Sequence, residues 1–169
     1  VLPYLKKMET DELDRPYHGT QGPIPCWRPK ENKWGPVDNA LRDAAHRVGH
    51  SDSKDLDLNA PGATGISAIP FNVKNEQRFT TNDGYLEPAR GRQNLTIQGQ
   101  TLVDKVLFNG KRAIGVEALV NKTDRKEYRA GKVVLCSGAI WTPAILYRSG
   151  IGPADRIRKI GGKVLLDRK

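Results

Sequence analysis

The chain has 169 residues, enough for one ordinary domain with a sizeable core. Only 37% of the residues are hydrophobic, and 17 Gly with 11 Pro are typical of many turns and short strands. An excess of 28 basic over 19 acidic residues gives a net charge of +9. The basic residues are scattered, and aromatic residues do not interleave with them as a stacking platform would need, which disfavours nucleic acid as a partner and favours a solvated basic surface.

The two cysteines, Cys26 and Cys136, cannot build a disulfide framework. Cys136 lies in an apolar run, where a free thiol usually behaves as a small hydrophobe, so we expect a reducing, cytoplasmic compartment. No apolar run reaches the roughly 20 residues that a membrane-spanning helix needs. Because the sequence does not start with Met, we expect it to be an interior part of a longer protein.

In the first half of the chain, periodicity and breakers predict short elements joined by turns. A weak apolar stripe within 1–12 predicts a helix. The clearest element is a helix that starts at Pro36, a natural first helical position, and stops at Gly49. The other predictions are an edge strand at 24–28, a half-buried strand at 66–73, and a short helix from Thr80 through Leu86 that ends before Pro88.

The second half predicts strands and then helices. Asn109-Gly110 between two apolar runs is a strong hairpin signal, and a third strand follows the turn at 121–125, so 95–132 reads as an antiparallel meander. The continuous apolar run Lys132–Cys136 predicts a strand buried on both faces of a parallel sheet. A turn at 137–139 then leads to a helix capped by Thr142, a helix at 153–160 and a strand beginning at 164.

The segment Gly138–Gly152 carries the most specific pattern in the chain. It contains Thr142-Pro143, the aliphatic pair Ile145-Leu146, and Ser149-Gly150-Ile151-Gly152 at fixed spacings. This pattern resembles, without a gap, the second signature of the glucose–methanol–choline (GMC) oxidoreductases. A strand, a turn of small residues and a helix N-terminus also suit close approach of a ligand to the backbone, although ordinary α/β packing uses the same arrangement.

Other stretches resemble the same family in the same order, so the resemblance covers essentially the whole chain. They are Leu2-Pro3-Tyr4, Tyr17-His18-Gly19 with Gly22-Pro23, Asp57-Leu58-Asn59, Thr81-Asn82, Tyr85-Leu86-Glu87-Pro88 and Asn94-Leu95-Thr96. The resemblance implies a mixed α/β (α+β) fragment of a two-domain FAD-binding fold. Residues 1–80 would be part of a substrate-binding domain, and 81–169, with the meander and the buried parallel strand, part of the FAD domain.

The resemblance also implies ligand contacts. The Val103 backbone would meet the adenine of FAD, and Ser137, Gly138 and Ala139 would line its ADP half. Phe71 and Asn72, at the end of a substrate-domain strand, could contact substrate, although a core position for Phe71 is the simpler interpretation. Without the resemblance, Val103 would be interpreted as an ordinary strand residue.

Two parts that the family needs are not found in the sequence. No strand–GxGxxG–helix unit for the FAD pyrophosphate occurs, since Gly161-Gly162 follows a predicted helix. The family's catalytic His lies downstream of the second signature, whereas His18, His46 and His50 all precede it, so no catalytic residue is assigned. We therefore expect this chain alone to be inactive and to bind FAD poorly.

His46 and His50 are four residues apart, a spacing that can place two metal ligands on one helix face. A third ligand is missing and Gly49 interrupts the helix, so we predict surface histidines and no metal site. The resemblance leads us to expect that the parent protein oxidises a primary alcohol, a small-molecule substrate, by hydride transfer to FAD. Two alternatives stay open: a non-catalytic basic α/β binding module, and a related flavoprotein with different chemistry.

Overall fold

A computed structural model describes residues 1–53 and 56–168, and the chain forms two compact units, Val1–Leu95 and Thr96–Lys169. The division falls after Leu95, within the range predicted for the FAD domain. No helix in the described part is long and apolar enough to cross a membrane.

The Val1–Leu95 unit is built from short elements. The helices are α1 (Leu2–Met8), α2 (Pro36–Arg47) and α3 (Glu87–Ala89), with a 3-10 turn at Glu31–Lys33 and a π-helical turn at Asn82–Leu86. The strands are β1 (Glu9–Asp11), β2 (Ile24–Cys26), β3 (Val73–Lys74) and β4 (Gln77–Arg78). β1 and β2 pair in parallel, and β3 and β4 form an antiparallel pair.

The predicted helix after Pro36 is confirmed, including its ends. Pro36 occupies the first helical position, the Asp38 carboxylate accepts a hydrogen bond from the Gly35 amide at 3.0 Å, and Gly49 follows the helix with φ +92°. The helix leaves an apolar side uncovered, since Val37 and Leu41 are 78% and 70% exposed. Its local sequence is therefore sufficient to define the helix, whereas packing within the described residues contributes little.

Two predictions for this unit are wrong. The expected strand at 66–73 is mostly irregular and touches other segments only through isolated bridges, Trp27 with Phe71 and Asp52 with Ile66, before β3 begins. The helix expected to end before Pro88 continues into α3. Pro88 lies in the first turn of α3, where a missing amide costs no hydrogen bond.

The Thr96–Lys169 unit contains the meander. Its strands are β5 (Thr101–Asn109), β6 (Arg112–Val120), β7 (Asp124–Arg129), β8 (Ile151–Gly152) and β9 (Leu166–Asp167), and its helices are α4 (Gly138–Arg148) and α5 (Ala154–Lys159). The sheet order β5-β6-β7 and the turn at Asn109-Gly110 confirm the antiparallel prediction. β8 and β9 pair in parallel.

The Lys132–Cys136 segment differs from its prediction. It pairs with no strand in the described ranges, Val134 is 74% exposed, and Cys136 is exposed. A strand is buried on both faces of a parallel sheet only when neighbouring strands and covering helices surround it. The apolar run therefore marks a strand-like segment that the described residues leave uncovered.

Candidate cofactor-binding region

The helix after the small-residue turn begins earlier than predicted. α4 starts at Gly138, with Ser137 as its N-cap, so Pro143 lies inside the helix rather than at its first position. Gly138 has φ +80°, a conformation that favours glycine and lets the chain turn directly into the helix. The Thr142 hydroxyl accepts a hydrogen bond from the Ser137 amide at 3.1 Å, so it fastens this turn instead of capping a later helix.

The N-terminus of α4 is open. No side chain caps it and its first turn carries no acidic residue. Ser137, Gly138 and Ala139 are all exposed, and a Cβ built on Gly138 would meet nothing within 4 Å. The first amides of a helix have no intrahelical acceptor, so this turn offers backbone donors to a polar or anionic group.

Exposed apolar side chains precede and follow this open terminus in the sequence. Val134, Ile140 and Trp141 are 74%, 79% and 58% exposed. Backbone donors next to exposed apolar and aromatic side chains are typical of a site for a ligand with polar groups and flat rings. The region therefore fits, by its donor set and its open glycine, the dinucleotide part of a flavin cofactor.

Val103 lies on β5 opposite Ala118 of β6, and it is half-buried. β5 is an edge strand of the meander, and α4 packs against it. Arg148 and Ser149, at the C-terminal end of α4, make the polar contacts with β5. Val103 and the 137–139 turn thus lie on two elements that pack together, although the turn is at the opposite end of α4.

The predicted substrate residues lie in the other unit. Phe71 is 45% exposed, so the core position preferred for it is wrong. It lines a groove of about 460 Å³ with mostly apolar walls, among them Trp34, Leu41 and Ile69. The Asn72 side chain donates a hydrogen bond to the Pro25 carbonyl at 3.3 Å.

Sequence reasoning missed a buried network of charges in the Val1–Leu95 unit. His18 lies between carboxylates: its Nδ1 is 3.0 Å from Glu9 Oε1 and its Nε2 is 2.9 Å from Asp57 Oδ2. Arg28 Nη1 donates to both oxygens of Asp11, at 2.7 and 2.9 Å, and Nη2 donates to Asp57 Oδ1 at 3.3 Å. We call these five residues the buried charge network.

The network favours the protonated form of His18. Burial opposes its protonation, but hydrogen bonds from both ring nitrogens to Asp57 and Glu9 outweigh it and raise the pKa of His18. Burial likewise disfavours the ionised Asp11, yet the hydrogen bonds from Arg28 and the Leu13 amide lower the pKa of that carboxyl. No local motif signals these contacts, because the partners are up to 39 residues apart.

Glu9, Asp11 and Cys26 bring one possible ligand atom each to within 4.8 Å of one another. Burial first, and then the hydrogen bond to Asp11, raises the pKa of Cys26 to about 12, so it is a neutral thiol. Metal ions bind the thiolate, and Arg28 already occupies Asp11. Glu9 and Asp11 of this trio belong to the buried charge network, where His18 and Arg28 contact their carboxylate oxygens.

The side chains of His46 and His50 are both exposed. His46 Nε2 lies 3.0 Å from Asp52 Oδ1, and Asp52 also pairs with Arg42. His50 is exposed beyond the end of α2. The two side chains are the surface histidines that the sequence predicts.

Two glycines explain how the segment carrying His18 reaches the network. A Cβ on Gly19 would lie 1.8 Å from the Lys6 carbonyl oxygen, and one on Gly22 would lie 2.3 Å from the Met8 carbonyl carbon. The Gly19 amide also donates to Glu9 Oε1 at 3.0 Å. Glycine at these positions lets the loop pass directly over the end of α1 and β1, which holds His18 against Glu9.

The family model described as GMC oxidoreductase matches residues 1–167. The chain is 41% identical, over 99% of its length, to an uncharacterized GMC-type oxidoreductase in the thcA 5′ region of Rhodococcus erythropolis, and it covers 34% of that protein. It is 39% identical, over 98% of its length, to an oxygen-dependent choline dehydrogenase of Pseudomonas aeruginosa, of which it covers 30%.

Solved structures show the same fold. Pyridoxine 4-oxidase from Mesorbium loti superimposes with a TM-score of 0.80 at 29% identity, over 99% of this chain and 33% of that one. An FAD-dependent oxidoreductase from Chaetomium thermophilum gives a TM-score of 0.77 at 29% identity, over 98% of this chain and 31% of that one. The chain spans about a third of the length of these relatives. From the match over 1–167 and these relatives, we conclude that the chain belongs to the GMC oxidoreductase family.

Proposed function

We propose that the complete protein carrying this chain is an FAD-dependent oxidoreductase that oxidises a primary alcohol. Family membership supports an oxidoreductase, and a structural relative is described as FAD-dependent. Relatives named for choline and pyridoxine, compounds that both carry primary alcohol groups, favour that substrate class. The substrate itself is a small molecule in this proposal.

The open N-terminus of α4 is the observation that carries the proposal. Its first backbone amides have no side-chain cap, and a Cβ built on Gly138 would meet no atom within 4 Å. A ligand therefore has room to approach the main chain closely here. Ser137, Gly138 and Ala139 would hold the ADP half of FAD by backbone contacts. Val103 on the neighbouring β5 would contact the adenine through its backbone.

When bound, FAD supplies the acceptor for a hydride from the alcohol carbon. The residues of this chain bind and orient the adenosine end, and none of them is assigned a proton transfer. Exposed Ile140 and Trp141 would exclude water from the bound dinucleotide. We propose that the catalytic base of the reaction is supplied by another part of the complete protein.

Phe71 is the candidate substrate contact. It faces the groove with Trp34 and Leu41, whose apolar walls suit the hydrocarbon part of an alcohol. Asn72, next to it, already donates to a backbone carbonyl, so its side-chain oxygen is the group left to accept a hydrogen bond. Both residues are offered here as substrate contacts on this basis.

The test is the visible absorption spectrum of the complete protein, before and after a primary alcohol is added without oxygen. We expect a bound flavin that bleaches with the alcohol. Gly138→Val should weaken FAD binding by at least about tenfold, since a branched side chain enters the open turn at positive φ. Gly131→Val, at an open glycine without positive φ, is the matched control and should bind normally.

Two results would count against the proposal in different ways. A colourless protein that takes up no added FAD contradicts the flavoenzyme assignment as a whole. A flavin that stays oxidised with a range of primary alcohols contradicts only the substrate class.

A further inference from the structure

Strand β5 contains a β-bulge next to Val103. Val103 pairs with Ala118 and Lys105 pairs with Glu117, so Asp104 has no partner of its own in β6. An extra residue of this kind breaks the ladder and bends its strand, and it leaves backbone groups that need other partners. The orientation of the backbone around Val103 therefore depends on what holds Asp104.

Arg148, on α4, binds Asp104. Its Nε donates to the Asp104 carbonyl oxygen at 2.8 Å and lies 2.8 Å from Asp104 Oδ1. Arg125 Nη1 approaches the other carboxylate oxygen at 3.3 Å, from β7. Arg148 is the partner that reaches the backbone itself, whereas Arg125 reaches only the side chain.

Ser149 binds the same strand, β5, at Val106, which is two residues after Asp104. Its Oγ accepts a hydrogen bond from the Val106 amide at 2.8 Å and donates to the Ile145 carbonyl at 2.6 Å. The end of α4 thus binds β5 at Asp104 and at Val106, and Val103 is the next residue before the bulge. Arg148 lies between the fixed positions of the family signature, so the signature does not account for it.

We propose that Arg148 is a positioning residue: by holding the bulge at Asp104, it presents the backbone of Val103 to the adenine half of the cofactor. This rests on the proposed function, in which Val103 contacts adenine. Adenine offers an amino donor beside a ring-nitrogen acceptor, and a single backbone segment offers the complementary carbonyl and amide. Two such hydrogen bonds form together only when the peptide groups are held at a fixed angle, which an unsupported bulge on an edge strand does not ensure.

The test measures cofactor binding by the complete protein stripped of its flavin, using FAD, ADP and FMN as three probes. Only FAD and ADP contain adenine. Arg148→Met removes the donor and keeps the length of the side chain, and we expect about tenfold weaker binding of FAD and of ADP, the effect of one charge-assisted hydrogen bond. FMN binding should stay within about twofold, because the positioned group is not part of that ligand.

Two further variants separate backbone positioning from charge. Asp104→Asn keeps the main-chain carbonyl that accepts the hydrogen bond from Arg148. Its dissociation constant for FAD should stay within about threefold of that of the wild type. Arg125→Met, which removes the other partner of Asp104, is the matched control and should do the same. The melting temperature of each stripped variant is measured alongside, so that a loss of fold is recognised.

The outcomes are distinct. Selective loss of FAD and ADP binding in Arg148→Met supports the inference. Equal loss of FAD and FMN binding, an unchanged FAD affinity, or an Asp104→Asn variant as weak as Arg148→Met overturns it. If the wild-type protein binds neither FAD nor ADP, the proposed function fails first, and that result is recognised without any variant.

Discussion

In the Val1–Leu95 unit the buried side chains include Asp11, His18, Arg28 and Asp57, whereas those buried in the described part of the Thr96–Lys169 unit are apolar, with Ala118 and Ile157 fully inaccessible. The strands differ in the same way. Those of the first unit have two or three residues, while β5 and β6 have nine each. The first unit has few strand-to-strand hydrogen bonds and few buried apolar side chains. Its stability therefore relies on buried charges that compensate one another.

The two units should therefore be destabilised by different kinds of substitution. Removing one member of a buried charge network leaves its partners as uncompensated charges away from water, which is more costly than losing the attraction itself. A meander, by comparison, depends on a regular ladder of backbone hydrogen bonds and on the register between its strands. Charge substitutions should therefore affect the first unit most, and backbone substitutions the second.

The largest expected effect is from Arg28→Met. It removes the guanidinium that binds both oxygens of Asp11 and one oxygen of Asp57, which leaves these buried carboxylates with His18 as their shared basic partner. We expect the free energy of unfolding to fall by about 3–5 kcal/mol. The measurement is urea denaturation of the protein. Arg125→Met, whose side chain is 61% exposed, is the control and should cost far less, because solvent screens an exposed ion pair. Equal effects of the two variants would contradict the contrast between the units.

The second effect is expected from Gly115→Ala in the meander. Gly115 has φ +152°, and a Cβ there would lie 2.2 Å from the Tyr128 carbonyl oxygen, so β6 and β7 would have to separate locally. We expect a loss of about 2–3 kcal/mol in the same denaturation experiment.

Gly110→Ala is its matched control, in the hairpin turn. Gly110 also has positive φ, +58°, but a Cβ there meets nothing within 4 Å. Its cost should be only the backbone strain, about 1 kcal/mol. A Gly115 variant no worse than the Gly110 variant would show that the close approach to Tyr128 is not a constraint.

The third effect is a pH dependence confined to the network. Because the pKa of His18 is raised above its ordinary value of 6.5, its contribution to stability is complete below that pH and is lost as pH rises through the folded-state pKa. The pKa of Asp11 is lowered below 3.8, so its contribution is complete above that pH and is lost on acidification. Stability from these two groups is therefore greatest between pH 3.8 and 6.5.

Denaturation midpoints between pH 6 and 9 test this dependence, with Glu9, Asp57, Arg28 and Cys26 as the other groups that face His18 or Asp11. We expect His18→Gln to flatten the decline in stability above pH 6.5. His50→Gln, at an exposed position, should leave the slope as it is in wild type. An unchanged slope in His18→Gln would mean that the imidazole does not titrate in this range.

The smallest expected effect changes no stability and compares the two cysteines. Burial and the hydrogen bond to Asp11 raise the pKa of Cys26 to about 12, so almost no thiolate is present at pH 8. Cys136 is exposed. Iodoacetamide should label Cys136 first, as read by mass spectrometry of peptides over time. Equal labelling rates would contradict the raised pKa of the half-buried Cys26.

Local elements were predictable where neighbouring residues determine the backbone. The hairpin at Asn109-Gly110 and the helix between Pro36 and Gly49 are examples, because each depends on turn or capping chemistry within a few residues. The predicted start of α4 was five residues too late, since Thr142-Pro143 has the form of a helix start and only Gly138, at positive φ, shows where the helix begins.

The sequence proposes members for the candidate cofactor region but does not give their arrangement. Ser137, Gly138 and Ala139 are assigned from the resemblance around Gly138–Gly152, and their role stays a prediction. The hydrogen bond from Arg148 to Asp104 could not be predicted, because the two residues are 44 positions apart and the bulge has no sequence signal of its own.

The amino-acid sequence by itself thus determined the family, the meander and the clearest helix of this protein. Its tertiary structure alone decided that Asp11, His18, Arg28 and Asp57 share one buried network, and that the apolar run at Lys132–Cys136 stays uncovered in the described residues. The physical reason is the distance along the chain over which each interaction acts. Turn and capping preferences act between residues a few positions apart, whereas burial of a charge or a strand depends on which distant segments come to lie beside it.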